Sequence, residues 1–332
     1  MYANPPTASF GDAETLLEPD GTGEGHWVGA PCVHRHGGTT YLAVRERDPA
    51  RRGHTVTIYE YGDADDADDA SDGADGDDPD GSVTLDPVRT ITADDLGVVS
   101  VERPALVTDP RSGDVELFLP VDRGGNDWTI RKLAAAPCVD ALESSTARDV
   151  LAPRPGTSDA GTVKDPSVLT VGGRYYLFYA GADGLSEQAH LATSVDGETF
   201  HRVEGNPVVP RAYWHDHHTR VSTVVPAPDA PAWLVFYDGS GVADEGRTWN
   251  LRTGVAVSTD LREFVDTCPD GPLYAAPTAD RRTGVSTFAT CRYLDVLDRG
   301  ERWELFAEVA REDGSFALRR TSVPVSGIEQ SG

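Results

Sequence analysis

Lysine is almost absent from this chain of 332 residues, yet Lys164 stands beside Asp165, just before Pro166, near the start of TVKDPSVLTVGGRYYLFYAG (from Thr162). Only Lys132 and Lys164 are lysines, so 27 of the 29 basic residues are arginine. A similar trio, Glu102-Arg103-Pro104, opens another apolar run, and WHDHHTRVS (214–222) gathers His215, Asp216, His217, His218 and Arg220. Charges placed in this way have two uses. Paired with each other, Arg103 with Glu102 and Lys164 with Asp165, they compensate charge in a dry interior. Aimed at a ligand, arginine grips an anion with a two-pronged fork and lysine supplies a point charge. The carboxylates are then left to move protons. Histidine and aspartate are also metal-ligand types. Adjacent residues of a strand point to opposite faces, so at most two of the histidines share a site. Hydrogen bonding to a ligand is the expected role of His217 and His218; a metal ion there is the lesser alternative, and no cofactor is expected.

The elements that must hold these groups read as β. Short runs rich in Val, Tyr, Phe, Leu and Thr alternate with Gly, Asp and Pro turns, and no stretch keeps a 3.6-residue period for long. One hairpin pattern occurs five times: APCVHRHGGTTYLAV from Ala30, RPALVTDPRSGDVELFLPV from Arg103, DPSVLTVGGRYYLFYAG from Asp165, VSTVVPAPDAPAWLVFYDG from Val221 and VSTFATCRYLDVLDRGERWELFAEV from Val285. HLATSVDGETF, ending at Phe200, and GVAVSTDLREF, ending at Phe264, share A-x-S-x-D-x-x-x-F at a spacing of 64 residues. Five four-stranded units at that period predict a five-bladed β-propeller with a central funnel, one domain over 1–332. The fifth unit is one strand short, and the N-terminal ASFGDAETLL is expected to supply it and close the ring. A β-sandwich is the alternative. The segment 63–81, nearly all Asp, Ala and Gly, is read as a disordered acidic insert.

The net charge is −26, from 55 acidic against 29 basic residues. That field repels nucleic acid and anionic membranes, so neither is an expected partner. Surplus aspartate with arginine in place of lysine reads as the salt-adapted surface of a halophile. Cys32, Cys138, Cys268 and Cys291 show no zinc spacing and are read as reduced and mostly buried. No signal peptide and no apolar run long enough to span a membrane is visible, and a cytoplasmic location is expected.

The hairpin DPSV…GG.YYLFYAG followed by ATS.DG.TF resembles the five-bladed propeller glycosidases, which include glycoside hydrolase families 43 and 32 and the family 130 mannoside phosphorylases. The resemblance implies that residues just before the proline of each inner strand point into the funnel. In chain order these are Gly29 and Ala30, then Glu102 and Arg103, then Lys164 and Asp165, then the His217, His218, Arg220 stretch, then Thr283, Gly284 and Ser286. Family 43 carries its base on blade 1, where this chain has Ala30, and its acid on blade 4, where this chain has the His-Arg stretch. Its third carboxylate matches Asp165. The resemblance thus implies an enzyme that cleaves a glycosidic bond by hydrolysis or phosphorolysis, with Asp165 as a carboxylate; Glu102, on the neighbouring blade, is read as its relocated partner. Arg103, Lys164 and Arg220 would hold phosphate or an anionic sugar. Loops after second strands bring Arg47, Asp48, His54, Asp122, Arg123, Asn126, Asp127 and Trp128 toward the rim, with Glu187 and His190 at the pocket edge. Trp128, Trp214 and Trp249 are candidates to stack on sugar rings. The competing expectation is a propeller that has lost its catalytic carboxylates and only binds sugar or scaffolds a partner.

Overall fold

The computed structural model describes residues 8–62, 83–184, 186–242, 249–277 and 288–325, and the acidic segment 63–81 lies outside them. The described residues are all-β, with two short 3-10 turns and no α-helix. After a short strand β1 (Glu14–Leu17), the chain forms five antiparallel runs. The first is β2 (Trp27–His36), β3 (Thr39–Asp48), β4 (Arg52–Gly62) and β5 (Thr84–Thr92). The second is β6 (Ser100–Val101), β7 (Ala105–Thr108), β8 (Val115–Asp122), β9 (Trp128–Lys132) and β10 (Arg148–Leu151). The third is β11 (Thr162–Val171), β12 (Arg174–Ala182), β13 (Gln188–Ser194) and β14 (His201–Arg202). The fourth is β15 (His218–Pro226), β16 (Trp233–Ser240), β17 (Arg252–Ser258) and β18 (Val265–Asp266). The fifth is β19 (Cys291–Asp298), β20 (Arg302–Ala310) and β21 (Phe316–Pro324). The N-terminal strand β1 pairs with β21 through Glu14↔Arg320, Thr15↔Arg319 and Leu17↔Leu318. A single parallel pair, Trp27↔Phe316, joins the first and fifth runs into one eight-stranded sheet.

Local chemistry explains the repeats. Gly37-Gly38 and Gly172-Gly173 turn the first and third inner hairpins with positive φ at both positions (60° and 87°, 57° and 75°), which a two-residue hairpin loop requires and glycine adopts without strain. The shared A-x-S-x-D motif is an Asx turn used twice. Asp196 accepts the amides of Glu198 and Thr199, and Asp260 accepts those of Arg262 and Glu263.

The apolar core is divided into five clusters, each between two runs. Ile58 and Val101 belong to the cluster between the first and second, Phe118 and Tyr175 to that between the second and third, and Phe178 and Tyr237 to that between the third and fourth. Phe236 and Trp303 join the fourth to the fifth, and Leu42 and Phe306 join the fifth to the first. All four cysteines are free; Cys32 and Cys291 are buried, whereas Cys138 is exposed and Cys268 half-buried, so only two fit the expected burial. Among the described residues, no helix is long and apolar enough to cross a membrane.

Candidate active site

The first strand of each run carries its chemistry at a break in the ladder. In β2, Gly29 pairs with Arg45 and Cys32 with Ala43. In β11, Lys164 pairs with Ala180 and Ser167 with Phe178, and in β19, Arg292 pairs with Glu308 and Asp295 with Phe306. Each strand thus accommodates one extra residue, a β-bulge that bends it and re-aims a side chain. The first bulge residue is left-handed in all three: Ala30, Asp165 and Tyr293 have φ of 51°, 53° and 56°. That conformation costs an L-residue roughly 1–2 kcal/mol, so the surrounding packing must impose it.

These starts converge on a cavity of about 350 Å³. Its walls include three carboxylates, Glu102, Asp165 and Glu187, and five cations, Arg47, Arg52, Lys164, Arg220 and Arg292, with Trp27, Trp128, Trp249 and Tyr293. Asp165 is fully buried, and its Oδ2 accepts from Arg220 at 2.9 Å and from the Tyr293 hydroxyl at 3.3 Å. Its Oδ1 has no hydrogen-bond partner among the described residues. Burial pushes this carboxyl up, but Lys164 and Arg220 outweigh burial and hold it below the usual aspartate range. Arg220 is braced from behind by Asp238 at 2.9 Å, and its second terminal nitrogen is unpartnered among the described residues. Lys164 pairs with Glu187 at 2.5 Å and lies 5.7 and 5.6 Å from the centres of the Trp128 and Trp249 rings. Burial opposes its charge, but Glu187 and Asp165 keep it above the ordinary lysine value. Glu102 is held between Arg45 at 3.0 Å and Arg47 at 2.8 Å. Trp249 is 44% exposed and rests one face on His218 at 4.3 Å. Burial, with His217 and Arg220 nearby, pulls His218 down to about 3, so it is neutral. Its Nδ1 accepts the Glu187 amide at 3.0 Å.

No protein-family model and no curated protein sequence matches the chain. Solved structures do. A glycoside hydrolase superposes with a TM-score of 0.64 at 12% identity, covering 97% of this chain and 94% of its own. A structure from the family 130 mannoside phosphorylases, a family described as containing hydrolases of β-1,2 mannosidic linkages in Candida mannan, gives 0.59 at 14% identity, over 96% and 91%. A thermostable family 43 glycoside hydrolase gives 0.58 at 12% identity, over 93% and 91%. The fold is that of the propeller glycosidases.

On this glycosidase fold, the residues singled out by the sequence separate into two sets. Glu102, Lys164, Asp165, Arg220, Arg47, Asn126, Trp128, Trp249 and Glu187 line the cavity together. Arg103 does not. It turns away and donates to the carbonyls of Val221 and Ser222, beside a second, smaller cavity. The expected neighbour pairs, Arg103 with Glu102 and Lys164 with Asp165, are replaced by partners from other strands: Arg45 and Arg47 for Glu102, Glu187 for Lys164. Asp48 and His54 border a separate cleft, where Asp48 caps the amides of Ala50 and Arg51. Asp122 binds Arg52, and Arg123 pairs with Asp127 and Asp149 at the surface. His190 bonds Ser158 and the Gln188 carbonyl, and Trp214 packs on Tyr237. His217 lies beside His218 but not on the cavity wall. Among the described residues, no group of three His, Cys, Asp or Glu side chains is arranged to hold a metal ion. Thr283, Gly284 and Ser286 lie outside the described residues, and the fifth inner strand places Arg292 and Tyr293 in that register instead. The sequence reading also missed Trp27, Arg45, Arg52 and Glu308. The one available signal was slight: Cys-Arg-Tyr-Leu (291–294) takes the bulge register of Val-Lys-Asp-Pro (163–166) but shares with it only a basic second residue.

Proposed function

We propose that the chain is a single-domain five-bladed propeller, its ring closed by β1, that cleaves a glycosidic bond in this cavity. The five core clusters, which link each run to the next and the fifth to the first, support the ring. The observation that carries the function is a set of buried polar atoms on one cavity wall, without hydrogen-bond partners among the described residues: the acceptors Asp165 Oδ1 and Glu187 Oε2 and a donor nitrogen of Arg220. Buried polar atoms call for partners. Sugar hydroxyls both donate and accept, so they match this mixed set, while Trp249 offers a face to the ring.

Asp165 is the essential carboxylate. Held ionised, it presents Oδ1 either to a nucleophile as base or to the developing oxocarbenium charge. Glu102 is its partner across the cavity, and Lys164 and Arg220 hold hydroxyls or an anion, phosphate included. The test is a panel of glycosides assayed at high salt with and without phosphate. Turnover of at least one is expected, with Asp165→Asn lowering it about 10²–10⁴-fold. Arg220 keeps Asp238 in that variant, so the fold should persist. Phosphate-dependent turnover would assign phosphorolysis.

One observation favours a second reading, a non-catalytic sugar binder. Both oxygens of Glu102 are engaged by guanidinium groups, which fits a chain with Ala30 and the His-Arg stretch where the family 43 pattern carries carboxylates. Sugar binding without turnover under either condition would establish it.

A further inference from the structure

The cavity is electrically two-sided. On the side built by β2–β4, β8, β19, β20 and the residue that follows β6, four guanidinium groups (Arg45, Arg47, Arg52 and Arg292) face three carboxylates, Glu102, Glu308 and Asp122. One positive charge is left over. On the opposite side, Lys164 and Arg220 face Asp165, Glu187 and Asp238, which leaves one negative charge. Building on the glycosidase reading, we infer that the arginine side is a receptor for a sugar carboxylate, so that the substrate is the glycoside of a uronic acid.

The arginine wall is rigidly built. Arg47 and Arg292 both lie against Trp27, at 4.4 and 4.9 Å from the ring centre. Trp27 is itself fixed: it stacks on Phe316 at 4.7 Å and donates its indole N–H to the Gly314 carbonyl. Buried glutamates steady both guanidinium groups from behind. Arg47 donates to Glu102 at 2.8 Å, and Arg292 to Glu308 at 2.7 Å. Arg52, bonded to Asp122 at 3.0 Å, completes the wall. Arg47 shows what the crowding costs: burial and then Arg45, Arg292 and Arg52 pull its guanidinium below the usual arginine value despite Glu102. Like charges gathered in a partly dry site are relieved by an anion among them. Planar guanidinium forks match a carboxylate. A single surplus charge fits a carboxylate monoanion, whereas a phosphate dianion would overfill it. A uronic acid carries its carboxylate and its anomeric carbon on one ring, so one bound sugar reaches both walls. In a protein of charge −26, this wall is where such a substrate can be held.

The experiment measures calorimetric affinities, at one fixed high salt concentration, for glucuronate, galacturonate and mannuronate. The matching neutral hexoses and inorganic phosphate are measured alongside. At least one uronate should bind tenfold or more tightly than its neutral counterpart. Arg47→Met should erase that preference, lowering uronate affinity about 30-fold or more, far more than it lowers neutral-hexose affinity. Glu102 retains Arg45 in this variant. Should Arg47→Met fail to fold, the partly exposed Arg52→Met (39%) is expected to lower uronate affinity selectively in the same way. Equal binding of uronates and neutral sugars, binding of phosphate in place of uronates, or indifference to both substitutions would overturn the inference. Turnover of neutral glycosides without a uronate preference would remove the carboxylate receptor and leave the glycosidase reading standing. Uronate binding without turnover of any glycoside would do the reverse.

Discussion

His218 shows how far a single residue's chemistry is set by its neighbours. In the folded chain its ring is sandwiched against Trp249, accepts the Glu187 amide, and is pulled down to about 3. In the unfolded chain it titrates near 6.5. Between those values the unfolded state binds more protons, so stability must fall as pH drops through that window. His34, pulled down to about 4, acts in the same sense. The carboxylates held low, Asp165 and Glu308, add their losses only below their ordinary values of 3.8 and 4.5. The melting temperature should therefore decline from pH 7 to pH 5, and less steeply in His218→Gln. Identical slopes would mean that His218 protonates freely in the fold. His217, its sequence neighbour, is partly exposed, and nothing in the letters HH separates the two. The contrast comes from strand alternation and from a tryptophan 31 residues away.

At the scale of elements, the bulge in each inner strand explains both what the sequence revealed and what it concealed. Where a proline marks the bulge, as at Pro104 and Pro166, the preceding charged residues stand out, and Glu102, Lys164 and Asp165 were found. Where Leu294 takes that place, Arg292 and Tyr293 look like ordinary strand residues. Arg45 and Glu308 sit on second strands, opposite the bulges, and only the register of pairing brings them against the cavity residues Glu102 and Arg292. Gly29 is the enabling residue. A Cβ there would lie 2.6 Å from the Cβ and Cγ of Glu308, so any side chain displaces the glutamate that holds Arg45 and Arg292. Gly29→Ala should cost about 1–3 kcal/mol, as overpacking of a tight interior does, and weaken ligand binding with it. Denaturant titration beside calorimetry checks this. Unchanged stability would show that Glu308 can move aside without loss. The pairing of β1 with β21 was legible for a different reason: the fifth run lacked a partner strand, and an unpaired edge demands one.

For the whole molecule, charge is the governing feature. A net −26 repels itself, and screening weakens with falling ionic strength. Stability should rise from dilute buffer to molar potassium chloride, followed as melting temperature; a flat response would remove the halophile reading. The ion pairs at the centre should respond little, because buried pairs are poorly screened. Arg103 adds something of another kind. Fixed in the second run, it reaches the fourth, 118 residues on, and ties the backbone carbonyls of Val221 and Ser222. A molecule assembled from five successive antiparallel runs is open to piecemeal unravelling, one run peeling from the next as in repeat proteins. A charged strut fastened across the middle couples sheets that are not sequence neighbours. Losing either end exposes a buried guanidinium or two orphaned carbonyls, so the centre must open in one event, and amide exchange there should report global rather than local unfolding.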